Sequence, residues 1–192
     1  MTKDTITDLE SAVATLKAGG VILYPTDTVW GIGCDATRQE AVERIYRIKR
    51  RIDSKAMISL VSDTAMLERW VEDIPEQALQ LADVAVRPLT IIYDHPRGLA
   101  SGLLAADGSA AIRIASDEFC QSLCRRLRRP VVSTSANISG KPAPGSFAEI
   151  EAEIREAVDY VATSGRQTAG SDNRPSSVVK ISDGGIIKIL RP

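Results

Sequence analysis

Three segments of the chain concentrate residue types that bind and orient polar or anionic small molecules. In the first, the apolar run Val21 to Tyr24 stops at Pro25, and Thr26, Asp27, Thr28, Trp30, Gly31 and Gly33 follow within eight positions. This reads as a strand emptying into an equipped loop, and strand ends are where α/β proteins place binding groups. In the second, Lys49 and Arg51 stand two apart and Lys55 follows four later. Guanidinium forks and ammonium point charges together suit a polyanion, and a triphosphate is the obvious one. The plain alternative is an exposed helix terminus, because cations favour helix C-termini. In the third, Val131-Val132 runs into Ser133-Thr134-Ser135-Ala136-Asn137-Ile138-Ser139-Gly140. Small hydroxyls and backbone N–H groups in such a turn can line an anion or sugar site. They can equally satisfy only the turn itself.

Other chemistries lack raw material. The chain has one histidine, His95, so zinc hydrolysis and a Ser-His-Asp triad are disfavoured. Cys34, Cys120 and Cys124 form no metal spacing, and their odd number fits free thiols in a reducing compartment. Neither G-x-x-x-x-G-K-[ST] nor G-x-G-x-x-G after a strand occurs, so a nucleotide would be held by something other than a P-loop or a Rossmann turn. The net charge of −1 supplies no global field for nucleic acid, although Arg125, Arg126, Arg128 and Arg129 form a local basic cluster.

The elements that must position these residues are readable in outline. With 192 residues, 44% of them hydrophobic, one domain over 1–192 is expected. No apolar run approaches the roughly 20 residues of a membrane span, and the polar N-terminus lacks a secretory pattern. A soluble, cytoplasmic protein follows. Helices are expected over Thr7 to Lys17, from a capping box at Thr37-Arg38-Gln39-Glu40 to about Lys49, from Asp63, from Pro75, from Ser116 to Leu127, and from a second capping box at Ser146 to Val158. Strands are expected at Val21 to Tyr24, Met57 to Val61, Leu89 to Tyr93, Ala110 to Ile114 and Val131 to Thr134. Ser177 to Ser182 and Ile186 to Leu190 flank Asp183-Gly184-Gly185 as a hairpin. Residues 165–175 read as a surface loop. The alternation predicts α/β architecture, an open mixed sheet with helices packed on it.

The ordered set P-T-D-T-V-W-G-I-G-C-D, K-x-R at Lys49 and Arg51, Arg113 after a strand, and S-T-S-A-N-x-S-G resembles the YrdC family from about Ala18 to Arg191. The resemblance implies an open twisted sheet with a large basic concave cleft. It implies synthesis of L-threonylcarbamoyl-AMP from L-threonine, bicarbonate and ATP with release of pyrophosphate, the first step toward threonylcarbamoyladenosine in tRNA. Mg²⁺ would travel on the nucleotide, and the product would pass to downstream tRNA-modification proteins. By the same resemblance, Lys49 and Arg51 carry phosphates and developing negative charge. Thr26, Thr28, Arg113, Ser133 and Ser176 belong to the threonine site. Lys55, Ser109, Ser135, Asn137 and Arg191 join Lys49 and Arg51 around ATP. Asp27 reads as a brace for its loop and Trp30 as a pocket wall.

The chain departs from the family pattern at Ile52, where proline is common, and at Ala143, where serine is frequent. It also departs at Arg87-Pro88-Leu89-Thr90, which stands in place of P-G-P-x-T. Two other readings compete. A basic cleft could hold RNA, weakly and without chemistry. Hydrogenase-maturation proteins carry a carbamoyl-adenylate site on this fold, but the acylphosphatase and zinc-finger segments that accompany it are missing from this sequence.

Overall fold

The computed structural model describes residues 1–50, 57–166, 174–181 and 186–192. Helix α1 (Lys3–Lys17) starts where the Thr2 hydroxyl accepts from Thr5 N, and it buries Leu9, Ala12, Val13 and Leu16 on one stripe. Strands β1 (Ile22–Tyr24) and β2 (Gly31–Gly33) pair antiparallel around the first motif. Helix α2 (Gln39–Ile48) follows, then β3 (Ile58–Val61), α3 (Thr64–Trp70) capped by Asp63, and α4 (Glu76–Val84) after Pro75. The chain continues through β4 (Leu89–Tyr93), β5 (Ala110–Ile114), α5 (Glu118–Leu127), β6 (Val131–Ser135), α6 (Ala152–Ala157) and β7 (Tyr160–Val161). It closes with β8 (Ser177–Ile181) and β9 (Ile187–Arg191). The strands form one mixed sheet in the order β7-β1-β2-β6-β3-β5-β4-β8-β9. No helix among the described residues is long and apolar enough to cross a membrane.

Most expected elements are present, and the differences have local causes. Strand β2 reads as loop in the sequence because two of its three residues are glycines, which lack strand propensity. The sheet requires them. A Cβ on Gly33 would lie 2.4 Å from Val132 O and 2.7 Å from the Tyr24 ring. Tyr24 is fully buried there and donates to Val132 O at 3.1 Å. The Thr37 capping box does not form. Thr37 donates instead, from its N–H at 2.9 Å and its hydroxyl at 2.7 Å, to Asp35 Oδ1. Asp35 is wholly buried and also holds Arg129 at 2.8 Å, so it outcompetes the helix end for the hydroxyl. Helix α5 is capped by Asp117, which accepts from Cys120 N at 2.8 Å, while Ser116 turns to Asp27. The Ser146–Glu149 contact forms at 2.9 Å but closes a 3-10 turn at Phe147–Glu149, and α6 starts three residues later. The hairpin turn 182–185 and residues 167–173 of the expected surface loop lie outside the described residues.

Pairing register decides which side chains meet. Ser133 stands opposite Ile58, Leu60 opposite Arg113, Ala111 opposite Ile92, and Thr90 opposite Val178. Since side chains alternate along each strand, Ser133, Ser135, Arg113, Thr90 and Val178 share one face. A register shift at Val178/Val179 puts Arg191 opposite Val178, whereas unbroken pairing would put it opposite Ser177 on the other face. Bulges re-aim side chains in this way.

Asp8 ties the N-terminal helix to the far edge of the sheet. Its carboxylate is 1% exposed and accepts from Tyr160 Oη (2.6 Å), Thr163 N (2.9 Å), Thr163 Oγ1 (3.0 Å) and Ser164 N (2.5 Å).

Candidate active site

A cavity of about 210 Å³ opens on the face that the register defines, lined by Thr28, Val29, Gly31, Met57, Ile58, Arg113, Ser133, Thr134, Ser135, Pro175, Ser176 and Arg191. It collects residues from the first loop and β2, from the start of β3, from β5 and β6, from the Pro175-Ser176 approach to β8, and from β9. Among the described residues, two guanidiniums serve it. Arg113 is 3% exposed, and its Nη2 sits 2.8 Å from Asp27 Oδ1. The contact is an ion pair, since its N–H geometry is not that of an aligned hydrogen bond. Among the described residues Arg113 Nε has no hydrogen-bond partner. Arg191 donates from Nε to Ser176 O at 2.8 Å and from Nη2 to Ser176 Oγ at 3.3 Å. Burial, and then the like charge of Arg113, push its pKa below the ordinary arginine value. Two cations that already repel each other favour an anion between them.

The other site expectations divide between the cavity and its supports. Thr28, Ser133, Ser135 and Ser176 line it. Ser176 also shares a 2.8 Å hydrogen bond with buried Thr90, the threonine that ends the altered Arg87-Pro88-Leu89-Thr90 segment. Thr26 is outside the lining. Its hydroxyl donates to Val29 O at 2.7 Å and accepts from Thr28 N at 3.1 Å, which sets the curvature of the loop. Lys49 is 2% exposed, caps α2, and donates to Ser135 O, to Asn137 O at 2.8 Å and weakly to Asn137 Oδ1 at 3.5 Å. Its own carbonyl accepts from Ser139 N at 2.9 Å. Lys49 thus moulds the serine-rich turn from behind and leaves its charge next to Ser135. The Asn137 amide donates to Ile138 O and Lys141 O, closing the same turn. Ser109 lies outside the cavity lining, and its hydroxyl donates to Asp107 Oδ1 at 2.6 Å. Arg51 and Lys55 lie outside the described residues.

The first loop is anchored at both ends of its motif. Asp27 Oδ2 accepts from Ser116 Oγ at 2.7 Å and from Ser116 N at 3.2 Å. Trp30 packs on Phe147 with ring centroids 4.9 Å apart, and the Arg166 guanidinium lies 4.5 Å from the Phe147 centroid. Sequence reading missed Phe147 and Arg166 because only the tertiary stack connects them to the motif. It also missed Met57, Ile58 and Pro175, which wall the cavity without polar chemistry.

Among the described residues, the cavity lining contains no carboxylate, histidine or thiol. All three cysteines are buried, and burial raises their pKa values, that of Cys124 to about 12. The arrangement is equipped to fix an anion by charge, to hydrogen-bond polar groups with hydroxyls, and to act by positioning and electrostatics.

Comparison with known proteins gives this geometry a family. The Sua5/YciO/YrdC family model, described as telomere recombination, matches residues 14–192. A threonylcarbamoyl-AMP synthase of Stenotrophomonas maltophilia is 40% identical over 157 residues, 80% of this chain and 84% of the relative. The structure of P. abyssi Sua5 complexed with L-threonine superposes with a TM-score of 0.82 at 26% identity, covering 96% of this chain and 53% of that one. The chain therefore spans about half the length of that Sua5. E. coli YciO matches with a TM-score of 0.81 at 25% identity, over 95% of this chain and 87% of YciO. The chain belongs to the Sua5/YciO/YrdC family.

Proposed function

We propose that the chain is an L-threonylcarbamoyladenylate synthase carried by a single domain over residues 1–192. The observation that carries this reading is that Arg113 and Arg191 both line a cavity walled by the hydroxyls of Thr28, Ser133 and Ser135, with no side-chain base among the described lining residues. The names of the relatives favour it over an RNA- or nucleotide-binding module.

In this reading Arg113, which lines the cavity, takes the threonine carboxylate, with Thr28, Ser133 and Ser176 around the amino acid. The threonine amine attacks the carbon of carbon dioxide and loses a proton, or attacks bicarbonate with loss of water, giving a carbamate. A carbamate oxygen then attacks the α-phosphorus of ATP, and pyrophosphate leaves. Lys49, Arg51, Lys55, Arg191, Ser135 and Asn137 neutralise and orient the nucleotide. Lys49 contributes by shaping the turn that presents Ser135 and by its nearby charge. A nucleotide role for Ser109 would require its bond to Asp107 to open. Positioning and charge compensation supply the acceleration.

Mg²⁺ enters as part of the nucleotide substrate. No three His, Cys, Asp or Glu side chains gather to hold a metal among the described residues, so no step is assigned to a protein-held ion. The unstable product would pass to a downstream tRNA-modification protein in the cytoplasm, with at most weak contact to tRNA.

The test is incubation with ATP, threonine and bicarbonate, reading pyrophosphate and the adenylate by mass. Lys49→Ala and Arg51→Ala should each lower turnover about 100-fold or more, as loss of one preorganised charge does. Wild-type rates in both variants would sink the role assignment. RNA binding with a steep salt dependence and no pyrophosphate would replace the enzyme reading.

A further inference from the structure

Asp27 pairs with Arg113 but is not among the residues that line the ligand cavity. It lines an adjoining cavity of about 320 Å³ together with Arg87, Ser116, Asp117 and Arg174. One oxygen meets Arg113 Nη2 at 2.8 Å, and the other accepts twice from Ser116. Both members of the ion pair are buried, with side chains 3% and 6% exposed. A buried guanidinium with several donors can present more than one edge, and its partner decides which edge stays open. Here the partnered group is Nη2 and the unpartnered one is Nε. Ser116, two residues beyond β5, the strand that carries Arg113, holds Asp27 in place beside the guanidinium.

We propose that Asp27 is a positioning residue for the amino-acid substrate, holding the Arg113 guanidinium through Nη2 so that the donors Arg113 turns to the cavity meet the substrate carboxylate. The inference rests on the synthase reading above. Asp27 acts through Arg113 and touches no substrate atom. Asp117 stands one residue beyond Ser116 and faces the same second cavity. Its carboxyl is raised by burial and, further down, by the Asp27 charge, while its Oδ1 caps α5. Its Oδ1 is bound to the helix, while its buried Oδ2 has no hydrogen-bond partner among the described residues.

The test is steady-state pyrophosphate release with threonine and ATP varied separately. Asp27→Asn keeps the shape and removes the charge. It should raise the KM for threonine about tenfold, the scale of one misplaced charged hydrogen bond, and leave the KM for ATP within about twofold. In an Arg113→Gln background the same change should have no further effect on the threonine KM. Ser116→Ala keeps the carboxylate, so it carries the test in a folded protein even if Asp27→Asn is unstable. It should raise the threonine KM about threefold, as loss of one neutral hydrogen bond does. Equal rises in both KM values, or an Asp27→Asn effect that persists with Arg113→Gln, would overturn the inference. A wild-type protein without threonine-dependent turnover would instead overturn the synthase reading, and the positioning role with it.

Discussion

Replacing Asp8 by Asn tests how the N-terminal helix is held. The Asp8 carboxylate is buried, which works to raise its pKa, but donors from Ser164, Tyr160 and Thr163 overcome that and hold it down at about 2 against an ordinary 3.8. A depression of that size corresponds to about 2 kcal/mol of folding stability at neutral pH. The sign follows from proton counting. The unfolded chain binds the proton more readily, so the stabilisation is complete above 3.8 and disappears as pH falls toward 2. Asn keeps one acceptor but points an N–H₂ group at N–H donors, and it cannot titrate. Urea unfolding of wild type and Asp8→Asn should therefore differ by about 2 kcal/mol at neutral pH, with the gap closing between about pH 4 and pH 2. Using the difference removes the other low-pKa carboxylates, Asp63, Asp107, Glu149 and Asp159, which are common to both proteins. A gap below about 0.5 kcal/mol at neutral pH, or one that stays constant into acid, would refute the reasoning.

Three further outcomes are expected. Gly33→Ala forces a methyl to within 2.4 Å of a neighbouring strand's carbonyl, and should cost about 3 kcal/mol or more in thermal or urea unfolding; a stability equal to wild type would show that Tyr24 and β6 yield easily. The three thiols should react with a thiol reagent at alkaline pH only after denaturant is added, because all are buried and burial raises their pKa values; prompt labelling of any one in the native protein would contradict its placement. Phe147→Ala removes the ring between Trp30 and Arg166 and should lower stability by about 2 kcal/mol or more, with a red shift of tryptophan emission; unchanged emission would mean that the stack does not shield Trp30.

The sheet was legible wherever apolar strands end at a strong breaker, as at Tyr24-Pro25. It was illegible where strands are short and made by pairing, as in Gly31–Gly33 and Tyr160–Val161. Capping patterns failed where a buried carboxylate competed for the hydroxyl, as Asp35 does for Thr37. At the site, motif residues were legible as a set, but their division of labour was not. Thr26 and Thr28 are two apart in one motif, yet only Thr28 lines the cavity, because the Thr26 hydroxyl is consumed by Val29 O. Lys49 looked like a phosphate ligand by type, but it is almost fully buried against carbonyls of the serine-rich turn. The Asp27–Arg113 contact joins residues far apart in sequence, and nothing local announces it.

The bulge that aims Arg191 has a consequence for how the protein would lose activity. Arg191 is on β9, the outermost strand, which among the described strands pairs only with β8 and leaves Ile187, Ile189 and Leu190 exposed. Edge elements with little burial open at a lower free energy than the whole domain. If β9 peels away, the remaining strands keep their ladder but the cavity loses one of its two guanidiniums. Turnover should then decay on gentle warming before circular dichroism reports any melting, so catalytic rate would be the more sensitive gauge of fraying at this border of the sheet.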